Sequence, residues 1–330
     1  MRRRDFVLAL GGAVIAPLRS ACAQQRVGKR RLGVLNFYAE ADSHSQYLIQ
    51  YLAGALRERG WTDGGNLEIV WRWAGADIDA LGARADELLA SAPEVIFAYS
   101  TSVTLELAKR TRSVPVVFFQ VSDPVGNGMV DTLSRPGGNL TGFMNFESGI
   151  CVKHFDLLAE MVPGLKRVGL VFNPRTAAGG GKFYAGPLQR ARGGVAEIVP
   201  LAFADAAGAA SAIDAFAAAP DSGLIVLPDI STAVHRTPIV EAARRNRLPS
   251  VYPYDFFVEA GGLMSYGVDV TPIYKDAADY IDRILKGAKP ADLPVQAPVK
   301  FDLTISLEAA RTLGLSVPAA LLARADQVLE

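Results

Sequence analysis

Short apolar runs that end in a polar residue recur along the chain and alternate with longer stretches of helical period. The first, Arg31-Leu32-Gly33-Val34-Leu35-Asn36-Phe37, has the length of a buried strand. A near copy, Arg167-Val168-Gly169-Leu170-Val171-Phe172-Asn173-Pro174, opens a second series. Between the two, the pattern predicts strands over 67–73, 94–99 and 115–120, and helices over about 45–59, 78–90 and 103–112. After Asn173 it predicts strands over 196–201, 224–227 and 250–254, with helices near 207–219 and 238–246. A further strand starts within 261–267, a helix follows over about 273–286, and the proline-rich stretch 286–298 reads as a crossover linker. Parallel strands joined by helices form sheets covered on both faces, so two series predict two such sheets.

A polar cluster stands at the carboxyl end of strand after strand. These are Asn36 (with Phe37), Ser100-Thr101-Ser102, Ser122-Asp123, Asn145, Asn173, Asp229, Tyr254-Asp255, and Tyr266 with Asp269. In open parallel sheets the ligand crevice lies outside those ends. Such residues also cap the helices that follow, and a cap leaves helix N–H groups pointing at the crevice, ready for an anion. The set offers hydroxyls, amides, carboxylates and aromatic faces without a nucleophile and base pair, which suits recognition of a small molecule such as a zwitterion. Phe37, Tyr38, Tyr99, Phe119, Tyr254 and Tyr266 are the aromatic candidates for its apolar part.

Enzyme motifs are missing or broken. His44, His154 and His235 have no ligand spacing and read as surface or capping residues. Gly179-Gly180-Gly181-Lys182 lacks the distal glycine and the hydroxyl of a phosphate loop, and reads as a flexible loop. Cys151 follows no motif and is expected to be a small buried residue. Catalytic residues, metal ligands and cofactors are therefore not expected.

Composition narrows the classes further. The 330 residues carry 34 basic and 34 acidic side chains, so there is no cationic excess for a nucleic acid. The first 23 residues hold four of the arginines and one aspartate, which leaves 30 basic and 33 acidic side chains after them. Arg2-Arg3-Arg4-Asp5, an apolar run of 13 residues and Ala21-Cys22-Ala23 have the three-part form of an export signal with a twin-arginine head. The run is short of the about 20 residues that span a bilayer. Cleavage after Ala23 is expected to leave an exported periplasmic protein; a rival reading makes Cys22 a lipidated first residue.

The leader, Ser122-Asp123-Pro124-Val125-Gly126, the stretch Arg135-Pro136-Gly137-Gly138-Asn139-Leu140-Thr141-Gly142, and the tail from Ile305 to Leu315 with Pro318 and Leu322-Ala323-Arg324-Ala325-Asp326 together resemble the ABC-transporter substrate-binding family, in the group that includes binders of tryptophan and related amino acids. The resemblance implies an α/β type I periplasmic-binding-protein fold, with two lobes that are each a mostly parallel sheet with helices on both faces, joined by three crossings. It places 30–143 and 261–290 in the first lobe, and 144–260 and 291–330 in the second. It also implies a monomer that captures an amino acid or an aromatic or carboxylate compound by hinge closure and passes it to an ABC permease and its ATPase. An exported enzyme on the same scaffold and a periplasmic sensor subunit remain alternatives.

Overall fold

The computed structural model describes residues 28–330. The stretch read as an export signal, with Cys22, lies outside the described residues. Five parallel strands form the first sheet: β1 (Arg30–Asn36), β2 (Leu67–Trp73), β3 (Val95–Tyr99), β4 (Val116–Val121) and β5 (Leu140–Met144), in the order β2-β1-β3-β4-β5. The central strand β3, Val-Ile-Phe-Ala-Tyr, is buried throughout, as expected for a parallel strand covered on both faces.

The second sheet holds β6 (Arg167–Phe172), β7 (Glu197–Ala202), β8 (Ser222–Val226), β9 (Ser250–Tyr252), β10 (Met264–Gly267), β11 (Asp302–Ser306) and β12 (Gln327–Leu329). Their order is β12-β11-β10-β9-β8-β6-β7, and the β10–β11 pair is antiparallel. Each sheet has its own apolar core.

Helices α1 (Ser43–Glu58), α2 (Leu81–Ala90) and α3 (Thr101–Arg110) cover the first sheet, whereas α4 (Ile150–Met161), α5 (Lys182–Arg192), α6 (Ala206–Phe216), α7 (Ile230–Val234), α8 (Arg236–Arg245) and α9 (Phe256–Glu259) belong to the second. The next helix, α10 (Thr271–Leu285), returns to the first lobe. Its Thr271 Oγ1 meets Tyr47 Oη at 2.6 Å, and its Asp282 accepts from Trp61 Nε1 at 2.8 Å.

Two lobe boundaries differ from the sequence expectation. Residues 264–267 do not join the first lobe: Met264 and Ser265 pair with Val251 and Tyr252 in the second sheet. Residues 291–296 do not join the second lobe: Thr141 Oγ1 donates to Leu293 O, Val295 N to Leu133 O at 2.7 Å, and Met144 N to Gln296 O at 2.8 Å. The chain thus crosses between lobes after Met144, after Gly267 and after Gln296. A crossing is invisible to local hydropathy, because the apolar run of β10 fits either sheet equally well.

Several of the motifs singled out in the sequence prove to be backbone devices. Asp123, at φ 50°, turns its carboxylate back to accept from Gly126 N at 2.9 Å. Asn139 Nδ2 donates to Val114 O at 2.7 Å, which aligns β5 beside β4. Gly179, Gly180 and Gly181 form a left-handed turn (φ 57°, 63° and 87°) that leads into α5, and a Cβ on Gly181 would stand 2.6 Å from the Phe172 ring. That run is a defined turn packed on the second core rather than an open loop.

Candidate functional site

The carboxyl ends of both sheets face one cleft. From the first lobe it is lined by Tyr38, Tyr99, Ser100, Thr101 and Gln120, and at the first crossing by Asn145. Thr176, Pro228, Asp229, Ile230, Ala233 and Tyr254 line it from the second. Ile230 and Ala233 of α7 pack onto the core of the first lobe, and the cavity left between the lobes is about 20 Å³. That is room for about one water, so a solute enters only when the lobes part.

Two features give the cleft its polarity. On the first lobe, Ser100 caps α3 at φ 99°, a conformation that costs a serine about 1–3 kcal/mol. Ser100 O accepts from Thr104 N at 3.1 Å and from Thr104 Oγ1 at 2.8 Å, which fixes the start of the helix. The leading amides of α3, at Thr101 and Ser102, have no intrahelical acceptor and point into the cleft end of the helix. Gln120, at φ 56°, is a second positive-φ residue on the same wall.

On the second lobe, Asp229 is fully enclosed. Its Oδ2 accepts from Asn173 N at 2.8 Å and its Oδ1 from Ser231 N at 3.2 Å. Burial pushes its carboxyl up to about 6, against the pull of these hydrogen bonds. Desolvation also raises the Tyr254 hydroxyl well above its ordinary value.

Behind this lining lies a buried polar layer. Ser122 Oγ meets Asn145 Oδ1 at 3.0 Å and Tyr184 Oη at 2.8 Å, which joins the first lobe to α5 of the second. Ser122 N donates to Thr101 Oγ1 at 2.9 Å, and Asn36 Oδ1 accepts from Tyr38 N at 3.2 Å. His44 Nε2 meets Tyr99 Oη at 2.7 Å among the rings of Tyr38, Tyr47 and Phe256, and burial lowers its pKa to about 4, so the imidazole is neutral at pH 7.

Of the residues expected from sequence, Ser100, Thr101, Asn145, Asp229 and Tyr254 line the cleft. Asn36, Ser102, Ser122 and Asn173 stand one layer behind as supports. The others lie elsewhere. Phe37 is a core residue, and Asp123 holds its own turn. Asp255 and Asp269 border a separate cavity of about 240 Å³ beside β10, and Tyr266 stacks on Phe301 at 5.7 Å.

Cys151 is buried, as expected, but two histidines are not the surface or capping groups that their spacing suggested. His154 is fully buried with Nε2 at 2.7 Å from Tyr266 O, and His44 belongs to the cleft cluster. Sequence reasoning passed over Gln120 and Thr176 as site residues. A glutamine inside the apolar run Val-Val-Phe-Phe-Gln-Val was the available signal for the first; nothing local marks the second.

The mouth is closed by a pair across the lobes. Arg236 Nη2, at the start of α8, lies 3.4 Å from Asp42 Oδ1 and 3.1 Å from Ser43 Oγ, and its guanidinium stands over the Phe256 ring. Both side chains of the pair are more than four-fifths buried. Arg236→Ala should speed ligand dissociation by about fivefold, the upper range for one partly screened ion pair. Stopped-flow release into excess competitor measures this, and an unchanged rate would remove the pair from the closing mechanism.

Two α/β lobes on a three-strand hinge, closing carboxyl ends of both sheets onto a polar, tyrosine-walled cleft, define a solute receptor. The chain matches the family model "ABC transporter substrate binding protein" over residues 38–329, and it belongs to that family. It is 25% identical over 263 residues to a tyrosine-binding protein of Clostridioides difficile, covering 79% of this chain and 74% of the relative. Among solved structures, a conserved domain protein of Vibrio cholerae superposes with a TM-score of 0.83 at 28% identity, covering 91% of this chain and 99% of that one. An L-Trp complex from Streptococcus pneumoniae has a TM-score of 0.82 at 23% identity, covering 92% and 100%.

Proposed function

We propose that this chain is the exported receptor of an ABC importer and that its ligand is an aromatic amino acid bound as a zwitterion. One observation carries the reading: a buried carboxylate, Asp229, and the amino end of α3 line the same tyrosine-walled cavity. The amides of Thr101 and Ser102 with the Ser100 hydroxyl hold the ligand carboxylate, Asp229 holds the ammonium, and Tyr38, Tyr99 and Tyr254 surround the ring. Asn173 and Ser122 are positioning residues. The similarity to a tyrosine-binding protein and to an L-Trp complex supports this ligand class.

Closure follows from contacts made to both lobes at once, since a ligand shifts a conformational equilibrium only by its differential affinity. Residues 1–23 would direct export to the periplasm, and a permease with its ATPase would receive the ligand from a monomeric receptor.

A melting screen of L-tyrosine, L-tryptophan and L-phenylalanine beside aromatic acids, nucleosides and sugars tests the reading. At a hundredfold excess over its dissociation constant the ligand adds about 2.7 kcal/mol. That should raise Tm by roughly 5 °C or more. A shift with sugars or nucleosides alone would replace the proposed ligand class. Stoichiometric release of an unaltered amino acid on denaturation supports a receptor; accumulation of a product over time supports an enzyme.

A further inference from the structure

A second cavity is far roomier than the cleft. A cavity of about 390 Å³ lies at the hinge, between the end of β5, the start of α10 and residues 296–300. Its size is that of a drug-sized ligand pocket. Phe143, Met144, Ile273 and Pro298 give it apolar walls. One wall is braced: the Tyr280 ring packs 4.9 Å from the Phe143 ring, Tyr280 Oη donates to Pro294 O at 2.7 Å, and Gln296 Nε2 donates to Tyr280 Oη at 3.0 Å.

The charged lining is mostly acidic. Asp269, Asp276 and Asp279 stand on it with one lysine, Lys300, which is paired with Asp302 at 2.9 Å. Asp269 accepts from Thr271 N at 2.9 Å, and Asp279 has Arg59 at 3.7 Å and Arg283 at 3.9 Å. Asp276 makes no ion pair among the described residues, and partial burial together with Asp279 raises its carboxyl above the ordinary value.

We propose that this hinge cavity is a second ligand site, distinct from the cleft, which takes a hydrophobic organic cation with its apolar body against Phe143, Met144 and Ile273 and its ammonium against Asp276. Met144, Val268 and Ala297 place a residue of each of the three crossings on its wall. An occupant therefore touches every strand that must bend when the lobes part, and its affinity depends on the lobe arrangement.

The probe is 3-phenylpropylamine, titrated into the full chain by calorimetry and ligand-observed NMR, with 3-phenylpropan-1-ol and 3-phenylpropanoate as neutral and anionic counterparts. The amine should bind saturably with a dissociation constant below about 1 mM. The alcohol should bind more weakly and the acid not at all. Asp276→Asn should weaken the amine by about threefold or more, Ala297→Trp should abolish its binding by filling the space, and the cleft variant Asp229→Asn should leave it unchanged. No saturable binding of the amine, equal binding of the alcohol, or loss only in Asp229→Asn would overturn the proposal. If Ala297→Trp lowers Tm, Asp276→Asn alone decides. No arm depends on the identity of the cleft ligand.

Discussion

Asp229→Asn should weaken L-tyrosine or L-tryptophan binding by about 30-fold or more, since truncating one partner of a buried charge pair costs about 2–5 kcal/mol. The carboxylate is enclosed at the end of β8, is held by two backbone amides, and is the one carboxylate among the residues described as lining the cleft. Asparagine keeps the volume but cannot accept from both amides, and it offers no charge to the ammonium. Calorimetry on the variant, with Tm as a check on folding, measures the loss. An affinity within threefold of the parent would remove Asp229 from ligand recognition.

The same residue sets a pH dependence. Its folded pKa is raised to about 6 by burial, above the ordinary carboxylate value. Below about pH 6 the carboxyl is neutral and cannot pair with the ammonium, so the affinity at pH 5 should be about tenfold below its plateau above pH 7. Linkage to stability has the opposite sign. A raised pKa means that the folded state without ligand holds the proton more tightly than the unfolded chain. This group's contribution is therefore fully present below about pH 4 and is lost as pH rises through 6. Binding should thus strengthen with pH over the range in which Asp229 ceases to stabilise the unliganded fold.

The largest expected loss of stability comes from Gly142→Ala. Gly142 lies in β5 at φ 148°, beside the irregular register between Phe118 and Val121 of β4. An added Cβ would stand 2.0 Å from Phe118 O and 2.7 Å from Phe118 N. These are backbone atoms of β4, which pairs directly with β5, and Phe118 and Gly142 are both buried, so no rotamer change relieves the clash. A cost of about 3 kcal/mol or more follows, or a fall in Tm of about 6–12 °C. Gly138, four residues earlier in the same motif, meets nothing within 4 Å, and Gly138→Ala should leave Tm within about 2 °C. Equal melting temperatures for the two variants would refute the account of this motif.

The motif that identified the family is therefore legible from sequence as a string of letters, but its reason is tertiary. The sequence offers Arg135–Gly142 only as a pattern of resemblance; that Gly142 must let β4 approach is visible only with both strands in place. The strand runs themselves were well marked. Arg167–Phe172 falls where hydropathy placed it, because a strand buried on both faces must be apolar along nearly its whole length, and the edge strand Leu67–Trp73 falls there too on its β-branched and aromatic residues.

The site was legible to the same depth. Polar residues after apolar runs pointed to Ser100, Thr101, Asn145, Asp229 and Tyr254, since a parallel sheet offers its carboxyl ends to ligand wherever its strands are central. The same rule misplaced Asp255, Tyr266 and Asp269. β10 lies one strand beyond β9, and its end feeds a crossing instead of the cleft. It also left His44 on the surface, because nothing local shows that the first turn of α1 packs against Tyr99 and against Phe256 of the other lobe.

By itself the sequence determined two series of strand and helix, the polar residues at their carboxyl ends, and a balance of charge unsuited to nucleic acid. Period and burial are properties of a few consecutive side chains, and they survive in any local reading. Tertiary structure alone decided which sheet receives β10, that β11 runs antiparallel to it after an excursion through the other lobe, which polar ends meet, and how far burial moves Asp229 and His44. Those outcomes depend on contacts between residues tens to hundreds of positions apart, and on the water that such contacts exclude.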